Sequence, residues 1–334
     1  MLKSIGNRLK KFTVFVYCVS FLASAVVFSL PLWAQNDAML ILEQLIIFAP
    51  RWWLFSFIII LSMLWRFLSL FQRYTLPLLF YISLMYLDFQ LPDIVGFQEG
   101  ESTSIKLVTV NMGEGSKLSK LKQVVKYYHP DLLLLQEIRI NAVKDLQSNY
   151  TYIDCEAGLC LLSKYPFERV ASLSRAMLNG YGHFAMSYQL TVNGNQINLS
   201  NVHFETPREI LLDIIKSRSL SFKAKNKAEN RQIEASLVGD TIRAKKNVVI
   251  AGDFNMPDDD PIYKNNFSWL TNALNESGFG FNHTKYIDWQ GMPLFSFRID
   301  HIIYSKNITA RNVEVLDSLG GDHRPVMATL EVFH

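Results

Sequence analysis

Hydrophobic and polar positions divide the 334-residue chain into two unlike parts. The N-terminal third holds three long apolar runs. Phe12 to Trp33 has no charged side chain over about the length that spans a bilayer. Trp52 to Leu70 is interrupted by Arg66 and Tyr74 to Leu91 by Asp88, each near the end of its run. The pattern predicts transmembrane helices at about residues 12–33, 52–70 and 74–91, together a membrane anchor over residues 1–95. The first run alone, preceded by Lys3, Arg8, Lys10 and Lys11, would also suit a cleavable signal peptide. The two runs close behind it favour three stable helices. Met39–Pro50 is apolar but short and contains Glu43 and Pro50, which leaves open an interfacial segment or an extension of the second helix.

Residues 96–104, with Gly96, Gly100, Ser102 and Ser104, read as a linker, and from residue 105 to 334 the pattern changes. Ile105–Val110, Leu132–Leu135, Cys160–Leu162 and Val248–Ala251 are short apolar runs suited to buried strands. Lys117–Tyr128 repeats apolar residues at helical spacing. Met186–Val192 and Gln196–Val202 flank Asn193-Gly194-Asn195, a hairpin signal. Glu209–Ile242 reads as one long polar helix, and Ile299–Tyr304 and Pro325–Val332 as the last strands. This is a mixed α/β domain with helices outside two layered sheets.

Composition sharpens the division. Charged residues make up 19% of the chain and hydrophobic ones 49%, against about 25% charge in an average soluble protein. Gly (16) and Pro (11) are too sparse for a collagen-like or low-complexity chain. Residues 1–95 hold seven Lys/Arg and four Asp/Glu, and the rest holds 26 of each, so the net charge of +3 belongs to the anchor. A balanced domain lacks the basic field of an avid non-specific DNA binder. The basic N-terminus, and Arg66 with Arg73, place those segments in the cytoplasm by the positive-inside rule. The first loop (Asp37 and Glu43, against Arg51) and the exit at Asp88 and Asp93 are acid-biased. Three crossings then carry the remaining domain to the periplasmic or extracytoplasmic side of an inner (plasma) membrane. Cys155 and Cys160 flank a turn at Gly158, and read either as a disulfide in an oxidising compartment or as two buried thiols.

Polar residues recur where the apolar strands end. Asn111 follows LVTV, Glu137 follows LLLLQ, His203 follows LSNV, and Asp253 and Asn255 follow VVIAG. Asp300-His301 lies in FRIDHIIYS and Asp322-His323 in GGDHRP. Strand ends of one sheet bring such groups to a shared edge. Carboxylates and an amide gathered there suit Mg²⁺, which takes oxygen ligands, and imidazoles nearby transfer protons or contact phosphate. Singly, each motif is ordinary: Asp-Phe-Asn caps turns, and an acid after leucines is a solvated strand end. Lys216, Arg218, Lys223, Lys225, Lys227 and Arg231 read first as a solvated helix face, and otherwise as a surface for nucleic acid or anionic headgroups. His129, His183, His283 and His301 have no partner pattern and read as structural.

In order along the chain, NMGEG, LLQE, GLCLLSKYP, NVHFE, GDFN, RIDHI and GDHRPV resemble the motif series of the endonuclease/exonuclease/phosphatase superfamily, over about residues 105–333. That group includes deoxyribonuclease I-like nucleases, abasic-site endonucleases, inositol-polyphosphate 5-phosphatases and neutral sphingomyelinases. The resemblance implies a four-layer α/β sandwich, two packed mixed β-sheets flanked by helices, here preceded by transmembrane helices. It also implies a Mg²⁺ cofactor, with Mn²⁺ as substitute. Glu137 matches the main metal ligand, Asn111 a neighbour holding metal-bound water or phosphate, and Asp322 a second acid at the metal. Asp253 matches the carboxylate that aligns or deprotonates the attacking water, and Asn255 a donor to the phosphoryl oxygens. Asp300 and His323 match an Asp–His pair, and His203 the histidine that contacts phosphate or protonates the leaving oxygen. Whether Asp253 or His323 takes the proton stays open. Gly113 stands where several nucleases carry a polar residue, so one contact at the metal site is expected to be missing.

The implied reaction is phosphodiester hydrolysis by metal-assisted in-line attack of water. A lipid-type phosphodiester is favoured by tethering at a bilayer and by the neutral surface; extracytoplasmic nucleic acid is the other substrate. The alternatives are an endo/exonuclease proper and a non-catalytic membrane scaffold. The scaffold fits poorly with the presence of Glu137, Asp253, Asn255, Asp300, Asp322 and His323 together. No obligate protein partner is evident.

Overall fold

The computed structural model describes residues 2–29, 37–92, 100–217, 219–289 and 292–333. They form two compact units, Met1–Phe89 and Gln90–His334.

The first unit contains α1 (Leu2–Ser29), α2 (Asp37–Phe48), α3 (Trp53–Met63) and α4 (Leu70–Tyr86). Helices α1, α3 and α4 pack around Val16, Tyr17, Ile58, Leu61, Leu76 and Leu79. Phe15, Leu22, Phe28, Met63 and Phe71 stay exposed. Among the described residues one helix, Ser4–Ser29, is long and apolar enough to cross a membrane; α2 and α3 pass that test only jointly, across a 67° bend. The helix ends differ from those expected. The second run breaks after Met63, and α4 starts at Leu70 because Ser69 and Gln72 form a capping box. Its 17 residues fall short of the ~20 that span a bilayer. Met39–Pro50 belongs to a separate helix, α2. Arg51, the cation in the acid-biased first loop, is turned inward: Nε donates to Ile47 O at 3.1 Å and Nη1 to Tyr86 O at 3.2 Å. It thereby satisfies carbonyls left open at helix C-termini. Residues 30–33 of the first run, 93–95 at the end of the anchor and 96–99 of the linker lie outside the described residues.

The second unit runs β1 (Ser102–Asn111), α5 (Leu118–Tyr128), β2 (Leu132–Gln136), α6 (Ile140–Val143), β3 (Tyr152–Glu156), β4 (Leu159–Ser163), β5 (Phe167–Ser174), β6 (His183–Val192) and β7 (Asn195–His203). It continues with α7 (Arg208–Ser217), α8 (Phe222–Arg243), β8 (Val248–Asp253), α9 (Pro261–Phe267), β9 (Thr271–Asn272) and α10 (Ala273–Ser277). Strands β10 (Lys285–Trp289), β11 (Met292–Phe297), β12 (Asp300–Tyr304), β13 (Ile308–Val315) and β14 (Val326–Phe333) complete it. Two six-stranded sheets result, ordered β13-β14-β1-β2-β4-β3 and β5-β6-β7-β8-β12-β9, with a separate β10-β11 ribbon. Both sheets are mixed, β1–β2 and β7–β8 being parallel pairs.

Strands β2, β4, β8 and β12 are buried throughout, as uninterrupted apolar runs require. Leu107, Leu134 and Leu161 of one sheet meet Tyr188, Leu199 and Ile302 of the other. Leu121 and Val125 of α5 cover the outer face of the first sheet; α8 and α9 cover the second through Val238, Ile242, Ile262 and Phe267. The architecture is the four-layer α/β sandwich. The single helix expected over Glu209–Ile242 is split instead. Ser221 caps α8 by accepting from Ala224 N at 3.2 Å, and Asp213 of α7 accepts from Ser221 N at 2.9 Å. Cys155 and Cys160 face each other in the β3–β4 register and are joined by a disulfide.

Topology sets the functional edge. Asn111, Gln136, His203 and Asp253 end β1, β2, β7 and β8. Antiparallel β12 begins at that edge with Asp300 opposite Asp253, and β14 begins there opposite Thr109, just after His323.

Candidate active site

One chain of contacts joins the two sheets at this edge. Asn111 Nδ2 donates to Glu137 Oε1 at 2.9 Å and to Asp253 Oδ2 at 3.0 Å. Asp253 Oδ2 lies 3.8 Å from His203 Nε2 and 3.7 Å from His323 Nε2, and His203 Nε2 lies 3.5 Å from Glu137 Oε1. His323 Nδ1 is 2.9 Å from Asp300 Oδ2. Asn255 donates to Asp253 through its backbone N (2.8 Å) and Nδ2 (3.2 Å), and Nδ2 also reaches Phe204 O at 2.9 Å. Seven of the eight residues expected at the site thus meet.

The eighth, Asp322, has another partner. The Asp322 carboxylate is bonded by Lys285 Nζ, and Asp322 O accepts from Tyr286 N at 2.8 Å. That pairing, with an isolated bridge between Lys285 and His323, anchors the loop that delivers the imidazole.

The local electrostatics follow from burial and neighbours. Burial works against charge on Asp253, but His323 and His203 on either side, with Asn111 and Asn255, hold its carboxyl below the ordinary range. Burial pushes His203 below its usual value, against the pull of Asp253. Burial also opposes charge on His323, yet Asp300 and Asp253 overcome it and hold the imidazole up at about 9. Burial lifts Asp300 as well, against the pull of the neighbouring His323 ring.

The backbone is constrained here too. Glu137 (φ 54°) and Asn255 (φ 50°) adopt left-handed conformations, at roughly 1–2 kcal/mol for an ordinary residue such as Glu. Bonds on either side of Glu137, from Met112 N to Gln136 O (2.9 Å) and from Ile138 N to Gly158 O (3.2 Å), fix it. Asn255 O accepts from Arg231 Nη1 at 2.9 Å. The Gly113 departure has a steric reason: a Cβ there would stand 2.8 Å from Glu137 Oε2 and 3.2 Å from Asn111 Oδ1.

Several supporting residues escaped the motif reading. Thr284 Oγ1 donates to Asp300 Oδ2 at 2.6 Å and accepts from Asp300 N at 3.0 Å. Gln136 Nε2 crosses between the sheets to Asn201 Oδ1 at 2.8 Å; a polar residue closing an otherwise apolar run was its signal. Arg231, expected on a solvated helix face, is 1% exposed and pairs with Asp260 at 3.0 Å. Helical periodicity alone does not separate a solvated arginine from one buried against an acid contributed by another segment. His301 is structural, as expected: buried, it donates from Nε2 to Met256 O at 2.9 Å and accepts at Nδ1 from Asn272 at 3.0 Å.

The donor set fits a hard divalent cation. Glu137 is 46% exposed, and among the described residues its one ionisable neighbour within ion-pair distance is the His203 imidazole. Its carboxylate is therefore open to a ligand at an acid-rich edge. Asp253, Asp300 and His323 also lie close enough to chelate an ion, but His323 Nδ1 is engaged with Asp300 and both Asp253 oxygens accept hydrogen bonds. A cavity of about 430 Å³ adjoins Glu137, lined by Ile138, Arg139, Ile140, Cys155, Ala157 and Gly158 among others.

Comparison with known proteins agrees with this geometry. An endonuclease/exonuclease/phosphatase from Beutenbergia cavernae superposes with a TM-score of 0.54 at 14% identity, over 69% of this chain and 72% of that one. The 3′ phosphatase NExo from Neisseria, bound to a product DNA hairpin, gives 0.51 at 18% identity, covering 67% and 98%. A humanized TDP2 from D. rerio gives 0.50 at 16% identity, covering 68% and 98%. At such identities the likeness speaks for the fold. No curated protein sequence matches. A profile described as the Endonuclease/Exonuclease/phosphatase family matches residues 108–323. That span is well over half of the chain, and the chain belongs to the endonuclease/exonuclease/phosphatase family.

Proposed function

We propose that this protein is a membrane-anchored, Mg²⁺-dependent phosphodiesterase, with Mn²⁺ as substitute, whose catalytic unit faces the extracytoplasmic side. The observation that carries the reading is the continuous set Glu137–Asn111–Asp253–His323–Asp300, with His203 beside it. Glu137 and Asn111 would hold the cation, with Asp322, now bonded by Lys285, as the further acidic group. When bound, the cation offsets the charge of the phosphodiester and of its leaving oxygen. Asp253, between two imidazoles, orients the attacking water and accepts its proton. His323, charged and fixed by Asp300, donates to a phosphoryl oxygen. Asn255 adds a second donor once Nδ2 releases its longer bond to Asp253. His203 faces the leaving oxygen.

The anchor reading is supported by the full-length apolar helix Ser4–Ser29 and by the exposed apolar side chains of the first unit. The basic N-terminus with an odd number of crossings carries the catalytic unit across, whether α1 alone or the multi-pass set expected above does the crossing. The Cys155–Cys160 disulfide suits an oxidising compartment.

A lipid-type phosphodiester suits the surroundings of the site. Ile140, at the start of α6 shortly after Glu137, is exposed, as are Met177 and Tyr181 on the β5–β6 connection, which is tied to the catalytic edge. Arg175 Nη2 bonds His203 O and Arg175 N bonds Gly182 O, while His183 N reaches Ala157 O. Nucleic acid is the second reading, favoured by fold neighbours that bind DNA, a D. rerio TDP2 with single-strand DNA product and the Neisseria NExo with its DNA hairpin. The test is hydrolysis by the full chain in mixed micelles, with phospholipid and plasmid DNA compared in Mg²⁺ and in chelator. Faster metal-dependent turnover of phospholipid supports the first reading and faster turnover of DNA the second. No metal-dependent hydrolysis of either, nor of bis-p-nitrophenyl phosphate, refutes both and favours a scaffold.

A further inference from the structure

The α7–α8 hairpin carries two large apolar side chains that its own packing leaves in solvent. Ile210 and Ile214 of α7 are buried one turn apart, yet Ile215 is 75% exposed. Phe222, the first residue of α8, is 81% exposed although Ala224 beside it is buried. Both flank the same turn. Asp213 accepts from Ser221 N, and Lys223 Nζ bonds Glu209 Oε1 at 2.8 Å, so the helices run side by side.

Further along, α8 crosses the catalytic edge. Lys227 Nζ meets Glu205 Oε2 at 2.6 Å, and Arg231 Nη1 meets Glu205 O and Asn255 O. From Arg231 back to Phe222 is about 13 Å of helix at ~1.5 Å per residue. The turn therefore projects past the edge that holds His203 and Asp253. Between residues 213 and 225 the sequence sets Lys216, Arg218, Lys223 and Lys225 against Asp213 alone.

We propose that this tip docks on an anionic lipid surface, Ile215 and Phe222 entering the bilayer interface while Lys216 and its basic neighbours meet the headgroups. Exposed apolar side chains in a basic stretch of sequence have the chemistry of such an interface. A second copy of the chain is the poorer occupant, because a symmetric contact would bring like charges together. Docking rests on the membrane-anchored reading: tethering makes it intramolecular, so a modest affinity suffices. It would turn the catalytic edge toward the membrane.

The test uses the full chain in lipid nanodiscs with Cys18→Ser, which removes the free thiol. Phe222→Cys then carries an environment-sensitive fluorophore. Tyr127→Cys, exposed near the end of α5 and just before β2 begins at the opposite edge, is the control. With anionic lipid, the probe at 222 is expected to shift to the blue and to be quenched by nitroxide-bearing lipids, and the probe at 127 to do neither. Lys216→Ala is expected to lower the ratio of docked to undocked protein about fivefold. A water-like, unquenched probe at 222 on disc-bound protein overturns the proposal alone. A blue shift without lipid quenching assigns the patch to protein contact and overturns it as well. Protein that fails to elute with the discs overturns the anchor and the docking together.

Discussion

Gln136→Leu probes the support beneath the site. Gln136 is fully buried, and its Nε2 donates to Asn201 Oδ1 of the opposite sheet at 2.8 Å and to Thr109 Oγ1 at 3.1 Å. Asn201 Nδ2 in turn donates to Leu135 O (3.3 Å) and Cys160 O (3.0 Å), so one amide pair ties the sheets together next to Glu137. Leucine keeps much of the volume and removes the donor. Two lost hydrogen bonds cost about 2 kcal/mol, and a stranded Asn201 Oδ1 adds ~1–3 kcal/mol. Gln136 Oε1 has no partner among the described residues, and its removal returns a similar ~1–3 kcal/mol. The expected net loss is about 2 kcal/mol. Urea unfolding of the full chain in detergent, followed by near-UV circular dichroism, measures it. Phosphodiester turnover of the same preparation is expected to fall about tenfold or more as Glu137 shifts. Gln136→Leu with Asn201→Leu replaces both partners and is expected to recover part of the stability. An unchanged unfolding midpoint for the single variant would refute the reasoning.

Two further outcomes follow from buried groups. Burial and Arg298 depress the His301 pKa from 6.5 to about 4. The neutral ring is favoured by folding, so its contribution is complete above pH 6.5 and is lost as pH falls through 4, about 3 kcal/mol in all. His301→Gln is expected to unfold more easily at pH 7 but with a flatter acid dependence; equal slopes for both proteins would exclude this role. The Cys155–Cys160 disulfide closes a short hairpin, for which chain entropy gives about 2 kcal/mol. A reductant is expected to lower the wild-type midpoint by that amount and to leave a Cys155→Ser, Cys160→Ser variant unmoved; a wild-type midpoint insensitive to reductant would contradict it.

Much of the catalytic edge was readable because the chemistry sits where apolar strands stop. LVTV before Asn111, LLLLQ before Glu137 and VVIAG before Asp253 each mark a strand buried on both faces, whose end must reach the surface. Pairing order was not readable. That β8 lies between β7 and β12, which puts Asp253 between His203 and Asp300, depends on packing across distant segments. The α7–α8 break hid inside a polar helical pattern, its Ser221 cap one serine among four between Glu209 and Ile242. Arg231 read as solvent-facing, yet it and nearby Glu234 are buried, because loop groups such as Asp260 and Glu205 N bond to them. In the first unit, hydropathy located apolar segments but not their ends, since Ser69 and Pro50 act through local backbone chemistry that a hydropathy window averages away.

The most direct measurement is a Mg²⁺ titration of bis-p-nitrophenyl phosphate hydrolysis by the full chain and by Glu137→Gln, with urea midpoints confirming that both are folded. Wild-type turnover is expected to saturate with Mg²⁺, vanish in chelator and return on re-addition, while Glu137→Gln falls by about a hundredfold or more at the same Mg²⁺ concentration. Turnover that persists in chelator, or a Glu137→Gln titration that overlays the wild type, would contradict a metal-dependent phosphodiesterase built on this carboxylate.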